Sequence, residues 1–252
     1  MSKAPDSPRL AVLIDGENVP AKLAKQLFEE IAGLGEASVR RIYGDFSGGK
    51  MNGWAAVQAD FGIIPQHFPT VSGKNSSDIA IVIDAMDLLH SGRFEGFCLV
   101  TADGDFTRLA ARIREQGKDV FGFGERKAPK GLVQVCKRFI YLENISVPEE
   151  APRTPAWTST YPDVVWLLRA AIERAAGDDG GSASLSAVGS QLLLIKPDFD
   201  PRDHGHKQLS ALFSVHTKYF TLDRSGKSVW VRLKPEGWTE PRFPPIVRPQ
   251  AM

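Results

Sequence analysis

Between residues 9 and 147 two patterns of apolar residues alternate along the chain. Short apolar runs, Arg9-Leu10-Ala11-Val12-Leu13-Ile14 and Gly96-Phe97-Cys98-Leu99-Val100, read as strands buried on both faces of a parallel sheet. Residues 37–43, 62–68, 119–123 and 138–142 read as further strands. Pro65 has no amide hydrogen to donate, which places the 62–68 strand at an edge. Between the strands, apolar residues recur at helical spacing. Leu23, Leu27, Phe28 and Ile31 mark a helix over 19–32, and Trp54, Val57 and Phe61 one over 51–61. Segments 79–90, 106–116 and 132–136 follow the same rule, and Gly33, Gly35 and Gly117 stop helices. Strand and helix in alternation predict an α/β fold with a mostly parallel sheet flanked by helices.

The pattern changes after residue 147. Pro148, Pro152, Pro155 and Pro162, with Ser and Thr between them, predict a semi-extended linker over 148–162. Helical periodicity returns over 163–176, 184–194 and from His204 or Gly205 to His216. Alternating strands follow at 220–222 and 229–233 around the turn Arg224-Ser225-Gly226-Lys227. Three helices and a hairpin in so short a segment predict a small winged helix-turn-helix domain over 163–234. Residues 1–8 read as a flexible N-terminus and 235–252 as a proline-rich tail, disordered or loosely docked, that carries Trp238 and Phe243.

Composition adds limits. The net charge of +1 gives no global argument for nucleic acid, so any such surface is a local basic patch. No run of about 18 consecutive apolar residues is present to span a membrane. Residues 1–8 are polar and lack the apolar core of a secretory leader. Two cysteines, Cys98 and Cys136, are too few for a disulfide framework; reduced thiols and a cytoplasmic location are expected.

Chemistry concentrates where strands end. Thr101-Ala102-Asp103-Gly104-Asp105-Phe106 joins a strand to a helix and holds two carboxylates separated by one glycine. Acids there either cap the helix or hold a cation. Asp15 ends the first strand in the same manner, and Asp78 opens the helix before the fourth. If the first and fourth strands are neighbours, Asp15 and Asp103 meet in one crevice at the carboxyl edge of the sheet. Asp84 lies six residues beyond Asp78 and points elsewhere on an ideal helix. Asp45, Asp84 and Asp87 read as loop, outer-shell or solvated acids.

Three blocks carry a family resemblance: Ile14-Asp15-Gly16-Glu17-Asn18, Lys74-Asn75-Ser76-Ser77-Asp78 with the helix to Asp87, and Thr101-Ala102-Asp103-Gly104-Asp105-Phe106. In this order they resemble the NYN domain, the LabA-like branch of the PIN-like nuclease superfamily, over nearly all of residues 9–145. The family usually has serine and glycine where this chain has Thr101 and Ala102; the hydroxyl and the small size are kept. The resemblance implies a five-stranded parallel sheet in which the first and fourth strands adjoin. It implies that Asp15, Asp78, Asp103 and Asp105 bind Mg²⁺ or Mn²⁺ for phosphodiester hydrolysis, with Asn18 beside the first acid. Oxygen donors of this kind suit such ions. Lys74, Asn75 and Arg108 are candidates for phosphate contact.

A second resemblance lies in Val188-Gly189-Ser190-Gln191-Leu192, Lys196-Pro197-Asp198-Phe199-Asp200-Pro201-Arg202-Asp203-His204-Gly205 and Lys207-Gln208-Leu209-Ser210-Ala211-Leu212-Phe213. It is to the LOTUS, or OST-HTH, domain. That resemblance implies RNA as partner, with Lys207 and Lys227 meeting phosphate, while some members of the family bind a helicase instead. No cysteine lies near His204, His206 and His216, so a zinc site is not expected there. The combined expectation is a metal-dependent endoribonuclease with an RNA-binding module. Its rivals are a non-catalytic RNA-binding regulator, a protein-recruiting adaptor, a DNA nuclease and a phosphatase of small phosphates.

Overall fold

The computed structural model describes residues 7–47, 49–68, 76–146, 162–176, 182–226, 228–234 and 238. The expectations for the N-terminus, the linker, most of the tail, Lys74, Asn75 and Lys227 fall outside these residues. The chain divides into two compact units, Met1–Ala156 with Leu193–Asp203, and Trp157–Leu192 with His204–Met252.

The first unit is built from β1 (Arg9–Asp15), α1 (Ala24–Ala32), β2 (Glu36–Gly44), α2 (Asn52–Val57), β3 (Ile64–His67), α3 (Ser76–His90), β4 (Gly96–Val100), α4 (Thr107–Glu115), β5 (Asp119–Gly124), α5 (Lys130–Val135), β6 (Arg138–Tyr141) and α6 (Leu142–Ser146). Among the described residues its sheet has six strands in the order β3-β2-β1-β4-β5-β6, and every pairing is parallel. The sixth strand, β6, extends the five-stranded sheet that the resemblance implies; the apolar pattern at 138–142 had already marked it. β3 carries Pro65 and lies at an edge, where its missing donor leaves no gap in the ladder. β1 and β4 are neighbours, with Ile14 opposite Val100.

Alternation along β1 sends its side chains to two cores. Leu10, Val12 and Ile14 pack with Leu27 and Ile31 of α1, Trp54 of α2, and Leu142 and Ile145 of α6. Ala11 and Leu13 pack with Ala85 and Leu88 of α3, Leu109 and Ile113 of α4, and Leu132 of α5. Full burial of each such Leu, Ile or Phe contributes about 1.5–3 kcal/mol. The sheet is therefore covered on both faces, which is why its strands read as unbroken apolar runs. Cys98 and Cys136 are free and buried, and burial pushes the Cys136 thiol up to about 12. Among the described residues no helix is long and apolar enough to cross a membrane.

β6 is the other edge, and Leu193–Asp203 covers part of it. The Phe139 N–H donates to the Pro197 carbonyl at 2.9 Å, and the Tyr141 hydroxyl donates to Asp198 at 2.8 Å. Arg126 pairs with Asp203, and Arg202 bridges Asp200 and Glu30 of α1. Burial raises the Asp200 carboxyl, but hydrogen bonds and charge from Arg202 outweigh it and hold that carboxyl below the ordinary carboxylate range.

The second unit contains α7 (Pro162–Ala176), β7 (Ser182–Ser184), most of α8 (Leu185–Ile195), α9 (Leu209–Val215), β8 (Phe220–Asp223) and β9 (Trp230–Leu233). Its antiparallel sheet runs β7-β9-β8. Val165, Leu168, Ile172, Val188, Leu192, Leu212, Phe213, Phe220 and Val231 are buried. Trp238 docks beside Trp166 and Tyr219, with the Arg169 guanidinium 4.6 Å from its ring centre. The third helix starts later than its pattern predicted. Gly205 sits at φ +79°, a left-handed conformation that no α-helix continues through, so α9 begins at Leu209. β7 was not predicted.

Arg202→Met removes the cation from a buried carboxylate and is expected to destabilise the protein by about 3 kcal/mol. Thermal melts should show the loss, with partial recovery in Arg202→Met/Asp200→Asn. Because the folded Asp200 pKa is lowered, its contribution is complete above the ordinary carboxylate range. It disappears as pH falls through the folded value. An unchanged melting temperature in Arg202→Met would refute the anchoring role.

Candidate functional site

The chain runs outward from β1 to β2 and β3 on one side, then returns to lay β4, β5 and β6 on the other. The carboxyl ends of β1 and β4 therefore flank a topological switch point, where open α/β sheets form crevices. Asp15 is the last residue of β1 and is only 2% exposed. Its Oδ2 accepts from Asn18 Nδ2 at 2.7 Å and from Thr101 Oγ1 at 3.0 Å. Thr101 is itself buried just past β4, held by its N–H to the Phe123 carbonyl at 2.8 Å. Its Oγ1 also accepts from the Asp103 N–H at 3.1 Å. One hydroxyl thus ties the first acid to the turn that bears the third and fourth.

Gly16 follows Asp15 for a steric reason. A Cβ there would come within 2.3 Å of the Met51 methyl and 2.8 Å of Ile42. The backbone between Asp15 and Glu17 consequently lies tight against β2.

Asp103 caps the 3₁₀ turn Gly104–Phe106, its Oδ1 accepting from the Asp105 N–H at 2.9 Å. Capping therefore falls on Asp103, whereas the carboxylate of Asp105 is exposed. A carboxylate has two oxygens, so capping through Oδ1 is compatible with cation binding through Oδ2. Asp78 occupies the first turn of α3, where the helix dipole favours negative charge. Its pKa is nevertheless raised, first by burial and then by the charges of Asp15, Asp103, Asp105 and Glu17. Asp15 is raised as well: burial dominates, Asn18 and Thr101 oppose it through hydrogen bonds, and Glu17 adds repulsion. The charges of the other three candidate acids thus all reach Asp78.

Glu17 is the acid that the sequence reading passed over. It is exposed and repels both Asp15 and Asp78. Its place in Asp15-Gly16-Glu17-Asn18 was the available signal. Asp84 serves elsewhere: its Oδ2 accepts from Arg41 at 2.7 Å and from the Tyr43 hydroxyl at 2.7 Å, binding α3 to β2. Asp45 accepts from the N–H and the hydroxyl of Ser47 in a local turn. Arg108 is exposed in the first turn of α4. Lys207 is exposed ahead of α9.

Among the described residues no three His, Cys, Asp or Glu side chains stand close enough together to form a ready metal cage. The donor chemistry still fits a hard divalent cation, because every candidate ligand is a carboxylate oxygen. Mg²⁺ keeps several waters and takes only one or two protein carboxylates directly, so a closed cage is not required.

A family model described as the NYN domain matches residues 9–143. One described as the OST-HTH/LOTUS domain matches residues 163–232. A crystal structure of a protein of unknown function from Vibrio parahaemolyticus RIMD 2210633 is 20% identical, covering 55% of this chain and 95% of that one with a TM-score of 0.47. A solution NMR structure of an uncharacterized protein from Nitrosomonas europaea is 28% identical, covering 38% of this chain and 94% of that one with a TM-score of 0.29. Neither likeness is close enough to carry an argument. No curated protein matches the chain.

Because folding raises the pKa of Asp15 and of Asp78, both favour the folded state most when protonated. Without metal, their contribution falls as pH rises from the ordinary carboxylate value through the raised ones. Asp15→Asn keeps an acceptor for Asn18 and Thr101 without the charge. At neutral pH in chelator it is expected to gain on the order of 1 kcal/mol of stability. A variant that melts at or below the wild-type temperature across the pH range would show that the buried charge is not under strain.

Proposed function

Since the chain belongs to the NYN family over residues 9–143 and carries an OST-HTH/LOTUS domain over residues 163–232, we propose that it is a metal-dependent endoribonuclease whose second domain holds RNA. The observation that carries this reading is the linkage of Asp15 to Asp103 through the Thr101 hydroxyl at the carboxyl ends of β1 and β4, beside an Asp78 that is raised by burial and by the charges of Asp15, Asp103, Asp105 and Glu17. Like charges gathered in one crevice call for a cation.

Asp15, Asp78, Asp103 and Asp105 would hold Mg²⁺ or Mn²⁺. Such an ion, when bound, polarises a phosphodiester and makes a hydroxide available near neutral pH. Asn18 and Thr101 fix the orientation of Asp15 by donating to its Oδ2. Thr101 also anchors the Asp103 backbone, so the two acids keep their spacing. Arg108, exposed one residue into α4, would meet the phosphate backbone of a substrate. A cytoplasmic setting fits the two free, buried cysteines.

A second reading, a non-catalytic RNA-binding regulator, would keep the same two domains without turnover. A cleavage assay separates the two. Single-stranded and structured RNA, and matched DNA, are incubated with the full chain in Mn²⁺, in Mg²⁺ and in EDTA. Internal cleavage of RNA is expected with metal and none with EDTA. Asp103→Asn should fall to background, and Asn18→Ala by about 10- to 100-fold. Absence of cleavage on every substrate, or undiminished cutting by Asp103→Asn, would sink the enzyme reading. RNA binding without turnover would favour the regulator.

A further inference from the structure

We propose that the outer face of the β7-β9-β8 sheet is a stacking platform for single-stranded RNA, an inference that rests on the RNA-holding role proposed for the second domain. β9 alternates cleanly. Val231 is fully buried, whereas Trp230 is 47% exposed and Arg232 is exposed. The ladder continues one residue further, with the Lys234 N–H donating to the Tyr219 carbonyl at 2.9 Å, and Lys234 is exposed. Trp230, Arg232 and Lys234 thus follow one alternation.

Register places Ser184 and Asp223 on either side of Trp230, and Ser182 and Thr221 on either side of Arg232. Ser182, Thr221, Asp223, Arg224, Trp230 and Arg232 line a groove of about 690 Å³. Asp223 accepts from the Ser225 N–H at 2.9 Å and its hydroxyl at 2.6 Å, so this one acid on the face is bonded within its own turn. Arg232 and Lys234 outnumber the acid on this face, and Arg224, which donates to Ser214 of α9 at 3.3 Å, lines the groove beside them, on a chain whose net charge is only +1. That local excess matches a polyanion.

The third helix does not compete for that role. α9 reads Leu-Ser-Ala-Leu-Phe-Ser-Val and has no charged side chain, and the Ser214 hydroxyl turns back to the Ser210 carbonyl at 2.8 Å. The sheet face supplies what α9 lacks. An exposed indole offers a surface to the π-face of any base, and flanking cations track the backbone, the combination that holds single strands without strict sequence preference. Ser182 and Thr221 add hydroxyls able to meet a ribose 2′-OH. Paired RNA hides its base faces and cannot use the indole.

The test is binding of the full chain to a fluorescent oligouridine and to a perfectly paired RNA of equal length, in EDTA so that nothing is cut. Trp230→Ala is expected to weaken oligouridine binding about 5- to 100-fold, with Trp230→Phe retaining most of it. Paired RNA should be affected little. Arg232→Gln should flatten the salt dependence for both. Oligouridine should also quench the wild-type tryptophan fluorescence more than that of Trp230→Phe, a readout that stands even if Trp230→Ala folds poorly. Wild-type affinity in Trp230→Ala with equal quenching in Trp230→Phe overturns the platform while leaving RNA binding in place. Failure of the wild type to bind any RNA overturns both.

Discussion

Ile14 faces Val100 across the β1–β4 ladder, and the next residue on each strand is an acid on one side and a hydroxyl on the other. Everything chemical in the first unit depends on that adjacency. Asp15 is too far in sequence from Thr101 for local structure to join them. Parallel pairing does so without a dedicated contact, and the 3.0 Å hydrogen bond between them follows from register. A slip of one residue would turn Asp15 away from Thr101 and exchange the two apolar faces of β1. Burial of Leu10, Val12 and Ile14 against one core and Ala11 and Leu13 against the other makes such a slip prohibitive. The hydrophobic pattern thus sets the position of the carboxylate, although it says nothing about its chemistry.

The same fold works against its own charges. Burial raises both Asp15 and Asp78, and the charges of neighbouring acids raise Asp78 further despite its favourable place at a helix N-terminus. Something must hold α3 in place while its first turn is repelled. Asp84, two turns further along, provides that hold through Arg41 and Tyr43 on β2. The Tyr43 hydroxyl is pushed up, first by burial and then by Asp84, so it stays a donor at any working pH. Two acids on one helix therefore differ in duty: Asp84 is paired and holds α3, whereas the Asp78 carboxyl is raised by burial and by the acids around it. A carboxyl raised by burial and by like charges is common at sites that bind an ion or a substrate.

Much of this was legible in the residues, for a physical reason. Strands buried on both faces appear as apolar runs, so β1 and β4 stand out, and Asp15 and Asp103 are conspicuous where those runs end. The adjacency of the two strands is not a local property and came from the family resemblance. Glu17 was passed over because an exposed acid in a loop has no pattern of its own; only its effect on Asp15 and Asp78 singles it out. The Asp200–Arg202–Glu30 group joins residues far apart in sequence, and no periodicity anticipates it. β7 is three residues of Ser-Ala-Ser, too short and too polar to read as a strand until β9 pairs with it. Helical spacing ran through Gly205 because apolar period is blind to φ.

β7 matters beyond topology. A two-stranded hairpin of β8 and β9 alone would be marginal in water. Pairing with β7 makes β9 the central strand, so the backbone of Trp230 is held from both sides, by Ser184 and by Asp223. An indole on a central strand loses little further freedom when a base lies on it, and ordering loss is a major term opposing association. α9 offers the reverse, a seven-residue helix whose buried Leu212 and Phe213 are spent on the core and whose serine hydroxyls are engaged by Gln208, the Ser210 carbonyl and Arg224. Rigidity, aromatic surface and positive charge coincide on the sheet and on no part of α9, which makes the sheet the face where this domain is best prepared to hold a single strand.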